Sequence, residues 1–195
     1  MNDNSILLEI EVLGIAAFVL ILLVCFKRYV DGPVYKVPSI NLKGKNVIVT
    51  GGSTGIGFET AKELALLGSN VIIAARNKQI AEDSIKQIKA IDNKASVEFM
   101  PLDLADRSSI AEFASSLKLE RIDFLVNNAG VMGIPSRKVT KEGLEMHWAI
   151  NHLGHFYLTY LLWPKITRSD FFRIINVSSR GHRWYLGFFK AIQPD

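Results

Sequence analysis

From Asn46 onward the chain alternates between two hydrophobic rhythms. Short β-branched or aromatic runs stand at Val47-Ile48-Val49, Val71-Ile72-Ile73, Val97-Glu98-Phe99, Phe124-Leu125-Val126 and Ile174-Ile175-Asn176-Val177. Between them lie longer stretches whose apolar residues recur at helical spacing. Ala61, Leu64 and Ala65 belong to one that closes at Gly68. Leu153, Phe156, Tyr157, Tyr160 and Leu161 belong to another, expected to end near Pro164. Strands alternating with helix-length segments predict βαβ units and hence a parallel sheet. The expected fold class is α/β, a parallel sheet built from these five strands. No internal repeat or low-complexity segment interrupts the pattern.

The N-terminus follows a different rule. Val12 to Phe26 (VLGIAAFVLILLVCF) is unbroken apolar sequence, extended by Ile6-Leu7-Leu8 and Ile10 but interrupted by Glu9 and Glu11. A spanning helix needs about 20 apolar residues, so this tract uses its flanks. It has no polar face, as a helix packed in a soluble core would. It also has no preceding basic residue and a poor cleavage site at Val24-Cys25-Phe26, which argues against a secretory signal. The expectation is an uncleaved N-terminal transmembrane helix, an anchor over residues 1–28. Lys27 and Arg28 follow at once, which orients the downstream domain toward the cytosol. Gly32-Pro33 and Pro38-Ser39 mark residues 29–44 as a linker, leaving 45–195 as the folded domain.

Composition adds limits. With 195 residues, 49% hydrophobic and 22% charged, the chain holds one globular domain beside the anchor. A net charge of +4 with scattered Lys and Arg is a solvated surface, not a nucleic-acid footprint. The only cysteine, Cys25, excludes an intrachain disulfide; bordering the apolar tract, it is a small hydrophobe before it is a palmitoylation site. His147, His152, His155 and His182 invite a metal, and His152 and His155 could share a helix face, but no carboxylate or thiolate completes a ligand set, so no metal is expected. Asn176-Val177-Ser178 matches a glycosylation acceptor, on a strand expected to be buried and cytosolic.

Chemistry enters at the first strand's end. Val49 leads into Thr50-Gly51-Gly52-Ser53-Thr54-Gly55-Ile56-Gly57, and a helical stretch follows. A glycine turn between a strand and a helix start is an anion site, because free backbone N–H groups and the helix dipole converge on a phosphate. Glycines are required where a Cβ would block the turn or the close approach of a pyrophosphate. The spacing, Thr-Gly-x-x-x-Gly-x-Gly, resembles that of the short-chain dehydrogenase/reductase family. The second strand supplies a further test. An acid about 20 residues past the glycine turn selects NAD through its ribose hydroxyl, whereas a base there accepts the 2′-phosphate of NADP. After Ala74-Ala75 stands Arg76-Asn77, and no acid precedes Glu82, so NADP(H) is favoured over NAD(H).

Other landmarks extend the resemblance over about Lys45 to Gly187 and imply a Rossmann-like domain, a doubly wound parallel sheet of which these are the first five strands. Asp103-Leu104 closes the third strand, where the family places a carboxylate near the adenine. Asn127-Asn128-Ala129-Gly130 closes the fourth and matches the family's Asn-Asn-Ala-Gly element. Asn151-His152-Leu153-Gly154-His155-Phe156 is similar to its Asn-x-x-Gly-x-Phe, whose asparagine helps to hold a relay water. Ser179, after Ile175-Asn176-Val177-Ser178, matches the serine that hydrogen-bonds the reacting oxygen. The resemblance thus implies Ser179 and Asn151 as catalytic residues. It implies cofactor contacts from Gly51, Ser53, Thr54, Gly55, Ile56, Gly57, Arg76, Asn77, Asp103, Leu104, Asn128, Ala129 and Gly130. The anchor, Ala74-Ala75-Arg76-Asn77, Val131-Met132-Gly133 and Arg180-Gly181-His182 narrow the likeness to the retinol-dehydrogenase-like branch, near its members called X-linked. That branch implies a lipophilic alcohol, aldehyde or ketone, retinoid- or polyprenoid-like, and an endoplasmic reticulum membrane.

One part is not matched. The family uses a tyrosine as general acid/base and a lysine four residues later, placed about 40° apart on one helix. After Ser179 the chain offers Tyr185 and Lys190, five residues apart and about 140° around a helix, with Gly187 between them, and ends at Asp195. Tyr185 therefore fits a loop bordering the substrate mouth better than a proton donor. The expectation is a chain truncated before Tyr-x-x-x-Lys, inactive as it stands and able to pair as a homodimer only in a full-length form. The alternatives are a noncatalytic fragment that binds the dinucleotide or a partner, and an unstable chain without a role.

Overall fold

The computed structural model describes residues 3–31 and 40–179. The chain divides into two compact units, Met1–Ile40 and Asn41–Asp195. In the first, helix α1 runs Asp3–Asp31. It includes Tyr29 to Asp31, which the sequence assigned to the linker: the helix breakers, Gly32-Pro33, come only after them. Its segment Val12–Val30 is 19 residues long, wholly exposed within its unit, and apolar and long enough to cross a membrane. At 1.5 Å per residue that segment covers about 28 Å, close to a bilayer's hydrocarbon core.

The second unit contains strands β1 (Asn46–Thr50), β2 (Asn70–Ala75), β3 (Val97–Pro101), β4 (Phe124–Asn127) and β5 (Arg173–Asn176). All neighbours pair in parallel, in the order β3-β2-β1-β4-β5. Each expected run became a strand. The helices are α2 (Gly55–Leu66), α3 (Lys78–Ile91), α4 (Arg107–Ser116), the short α5 (Met146–Trp148) and α6 (Gly154–Ile166). Strand alternation decides which face each side chain serves. Ile48, Ile72 and Leu125 join Ile110 and Phe113 of α4 and Leu158 and Leu162 of α6 in one core layer. Val47, Val49, Val71, Ile73 and Val126 join Ala61 and Ala65 of α2 and Ala81 and Ile88 of α3 in the other. Helices therefore cover both faces, as a parallel sheet requires.

Two boundaries differ from the sequence expectation. Helix α6 continues past Pro164 to Ile166. Pro164 lies in the last turn, and the one carbonyl it cannot serve belongs to the exposed Tyr160. Strand β3 ends at Pro101, leaving Asp103 and Leu104 in the following loop, where the Ala105 N–H donates to Asp103 Oδ1 at 2.9 Å and turns the chain away from the sheet. Between α5 and α6 the helix widens into a π-turn over Ala149–Leu153. At the far end of the sheet, Asp123 is fully buried and receives the Asn46 N–H at 2.8 Å, Lys45 Nζ at 3.0 Å and the Ser169 hydroxyl at 2.7 Å. This knot ties the starts of β1 and β4 to the loop before β5.

Candidate functional site

The sheet changes winding direction between β1 and β4, and open parallel sheets bind ligands at that point, beyond the strands' C-terminal ends. The residues singled out from sequence gather on this rim. The glycine turn follows β1, Arg76 and Asn77 follow β2, Asp103 and Leu104 follow β3, Asn128 to Gly130 follow β4, and Ser179 follows β5.

Different glycines of the turn are needed for different reasons. A Cβ on Gly57 would meet the Gly51 carbonyl oxygen at 2.3 Å and Asn128 Nδ2 at 2.4 Å, so Gly57 permits the turn's own packing. Gly55 has φ +56°, and a Cβ there would meet nothing within 4 Å. It is needed for its backbone angle, and the space over it is open. That space leads to the start of α2. Thr54 stands at its N-cap with no side-chain capping bond. Elsewhere, Asn77 caps α3 through the Ile80 N–H, and Asp106 caps α4 through the N–H groups of Ser108 and Ser109. Helix α2 alone of these three leaves its first amides uncovered by its own N-cap side chain, beside Ile56, a 72% exposed side chain. Uncapped amides and a helix dipole facing open space suit a pyrophosphate.

The turn is rigidly held. The Gly51 N–H donates to the Ala74 carbonyl at 2.8 Å. The Ser84 hydroxyl on α3 donates to the Ser53 carbonyl at 2.7 Å. Asn128 Nδ2 donates to the Thr50 carbonyl at 2.9 Å, and Thr50 Oγ1 accepts the N–H groups of Asn128 at 2.9 Å and Ala129 at 3.0 Å. Asn127 Nδ2 donates across to Asn176 Oδ1 of β5 at 2.8 Å. Thr50 and Ser84 carry supporting roles that sequence reasoning missed. The available signals were a hydroxyl closing an otherwise aliphatic strand and a serine at the buried, helically spaced positions of α3.

Among the described residues Arg76 makes no ion pair or hydrogen bond. It borders an open depression with Lys78, Glu82, Glu98, Phe99 and Pro101, in which Glu82 pairs with Lys78 at 3.7 Å. Asn77 commits its side-chain oxygen to capping α3 and keeps its NH₂ free to donate. Asp103 likewise uses Oδ1 on the Ala105 N–H. Leu104 differs from the expectation in one respect: its side chain is buried in the core, so only its backbone faces the rim.

Asn151 lies within the π-turn. Its Oδ1 accepts the Val131 N–H at 2.8 Å, and its Nδ2 donates to the Val131 carbonyl at 2.9 Å. The side chain thus braces the segment after Asn-Asn-Ala-Gly, and a Cβ on Gly130 would crowd Oδ1 at 3.3 Å. Ser178 and Ser179 are exposed past the end of β5. Arg180-Gly181-His182, Tyr185, Gly187 and Lys190 lie outside the described residues. His152 stacks on Trp148, ring centroids 4.4 Å apart, and His147 Nδ1 lies 2.7 Å from Glu145. Burial works against the Glu145 charge, but His147 and the Trp148 N–H outweigh it and hold the carboxyl below its ordinary range. No three metal-ligating side chains cluster among the described residues.

Comparison with known proteins gives the same outline. A family model described as short chain dehydrogenase matches residues 45–187. The chain is 45% identical to human (Homo sapiens) retinol dehydrogenase 13 over 179 residues, covering 90% of this chain and 52% of that protein. It is 47% identical to Mus musculus retinol dehydrogenase 11 over 146 residues, covering 74% and 46%. The chain therefore spans about half the length of these curated relatives. Among solved structures, a metagenomic short-chain oxidoreductase in complex with NADP superposes with a TM-score of 0.62 at 30% identity, covering 73% of this chain and 64% of the other.

Proposed function

Because this chain belongs to the short-chain dehydrogenase family, we propose that it binds NADP(H) on the rim above β1 and β4 and acts as an oxidoreductase on a lipophilic alcohol, aldehyde or ketone. The observation that carries this reading is the uncapped start of α2 beneath the open space over Gly55. The nicotinamide, when bound, supplies or accepts the hydride. The chain's own residues bind and orient. The amides of Ser53 to Gly57 receive the pyrophosphate, Arg76 the 2′-phosphate, and Asp103 and the backbone of Leu104 the adenine side. Asn128, Ala129 and Gly130 fix the wall beside the nicotinamide ribose. Ser179 donates to the oxygen on the reacting carbon, and Asn151 offers its backbone to the relay that moves the proton. The preference for the phosphorylated coenzyme is supported by Arg76, which makes no ion pair among the described residues, and by the similar NADP-bound structure. The lipophilic substrate class is supported by the retinol dehydrogenase relatives.

The exposed apolar α1 supports anchorage in a membrane, and Lys27-Arg28 after its most apolar stretch supports a cytosolic domain on the endoplasmic reticulum. Calorimetric titration of the purified full chain in detergent tests the coenzyme reading: NADPH is expected to bind at least tenfold more tightly than NADH, and equal or reversed affinities overturn the role of Arg76. A second reading is binding of the dinucleotide without turnover, which the same uncapped start of α2 supports equally. Reduction of retinaldehyde by the purified chain with NADPH decides between the two.

A further inference from the structure

His155 is only 6% exposed, and none of the roles above uses it. Its Nε2 lies 2.8 Å from Thr50 Oγ1, a partner 105 positions away in the chain. The tautomer follows from valence. A threonine hydroxyl has two lone pairs and one proton. Thr50 Oγ1 already accepts two N–H groups, from Asn128 and Ala129. An N–H on His155 Nε2 would be a third donor to two lone pairs. The hydroxyl must therefore give its own proton, and Nε2 at 2.8 Å is a closer acceptor than the Val126 carbonyl at 3.3 Å. That places the ring proton on Nδ1. The backbone carbonyl of Asn151, one turn earlier, acts electrostatically on the ring. Burial pushes the His155 pKa down, with His152 acting the same way and the Asn151 carbonyl opposing, which favours the neutral ring.

We infer that His155, as its Nδ1–H tautomer, is a positioning residue for the coenzyme site, clamping Thr50 and the Asn-Asn-Ala-Gly loop to the start of α6, just past the π-turn that carries Asn151. The inference rests on the coenzyme reading above and deepens it. On one side of the ring, Thr50 organises the backbone of Asn128 and Ala129, whose side chain and backbone border the glycine turn. On the other, the ring's own helix follows directly on the π-turn, whose Asn151 grips Val131. One imidazole on α6 thus reaches β1 and, through Thr50, the loop after β4, with its acceptor nitrogen toward Thr50. Phenylalanine would fill the volume and supply no acceptor. Glutamine would keep an oxygen to accept the Thr50 hydroxyl.

The test uses the full chain, ¹⁵N-histidine labelled, in detergent micelles. At pH 7 one neutral histidine is expected with its proton on Nδ1, and its signal should disappear in His155→Gln. In Thr50→Val that signal should leave the Nδ1–H pattern or broaden, because Nε2 loses its donor. NADPH titration should show at least a tenfold weaker Kd for His155→Phe and no more than about a threefold loss for His155→Gln, read at temperatures where each variant is folded. A merely space-filling role would move neither the tautomer nor the difference between these variants. An Nε2–H tautomer for His155, or unaltered NADPH affinity in His155→Phe, overturns the inference. Should His155→Phe not fold, the wild-type tautomer and the Thr50→Val spectrum decide. If the unaltered chain binds no NADPH, the coenzyme reading itself fails, which the wild-type titration shows before any variant is made.

Discussion

Gly57 has no room for even a methyl group, whereas Gly55 has open space and an angle that other residues resist. Substituting Gly57→Ala is therefore expected to displace Asn128 or the Gly51 carbonyl, costing about 1–3 kcal/mol of stability as overpacking does. It should also weaken NADPH by tenfold or more; an unchanged melting temperature and Kd would contradict the packing of the turn. Arg76 is the opposite case, since it makes no ion pair or hydrogen bond among the described residues. Replacing it by Ala should leave the melting temperature within a degree or two. A hydrogen bond to a charged group contributes about 1.5–3 kcal/mol, so NADPH affinity should fall roughly ten- to hundredfold while NADH affinity stays. The places of the glycines after β1 and of Arg76 after β2 were legible in the sequence because spacing from a strand fixes them. Thr50, Ser84 and His155 were not. Their partners lie 78, 31 and 105 positions away, and only the assembled sheet brings these groups within 3 Å.

Strands and helices were legible to within a few residues because period-two and period-3.6 patterns are intrinsic to each segment. Their ends were less so. Pro164 marks a helix stop by rule, yet one missing amide in an exposed last turn is tolerated. The exit from β3 is set by the Asp103 side chain turning back on Ala105, which hydrophobic pattern does not record. Helix α4 depends on its cap, and Asp106→Ala should cost about 1 kcal/mol, measurable by chemical denaturation. At the strand starts, Asp123 joins β1 and β4 to the loop before β5. Burial penalises its charge, but the Asn46 N–H, Ser169 hydroxyl and Lys45 ammonium outweigh that and hold its pKa below the ordinary carboxylate value. A group so depressed stabilises the fold above its unfolded pKa, about 3.9, and that contribution is lost as pH falls through the lower folded value. Stability should therefore decline below about pH 4 in the wild type. In Asp123→Asn the folded protein should start less stable and decline less steeply there, as acid titration followed by circular dichroism would show.

At the scale of the molecule, alternation of strand and helix implied a parallel sheet, and the doubly wound order followed from the family resemblance before the structure displayed it. The first unit offers its own test. With α1 intact the chain should stay with membranes through alkaline carbonate extraction, and four lysines replacing Leu20, Ile21, Leu22 and Leu23 should release it into the supernatant. The second unit has two poles. The nucleotide turn crowns the C-terminal ends of the strands, and the Asp123 knot secures their N-terminal ends, with five residues of β1, about 16 Å, between. Lesions at sites that distant with no shared partner act independently. The double variant Arg76→Ala, Asp123→Asn should therefore melt like the second substitution alone and bind NADPH like the first, the two losses summing without interaction. A sheet arranged this way could be hardened at its base, residue by residue, while the recognition surface at its crown is left unaltered.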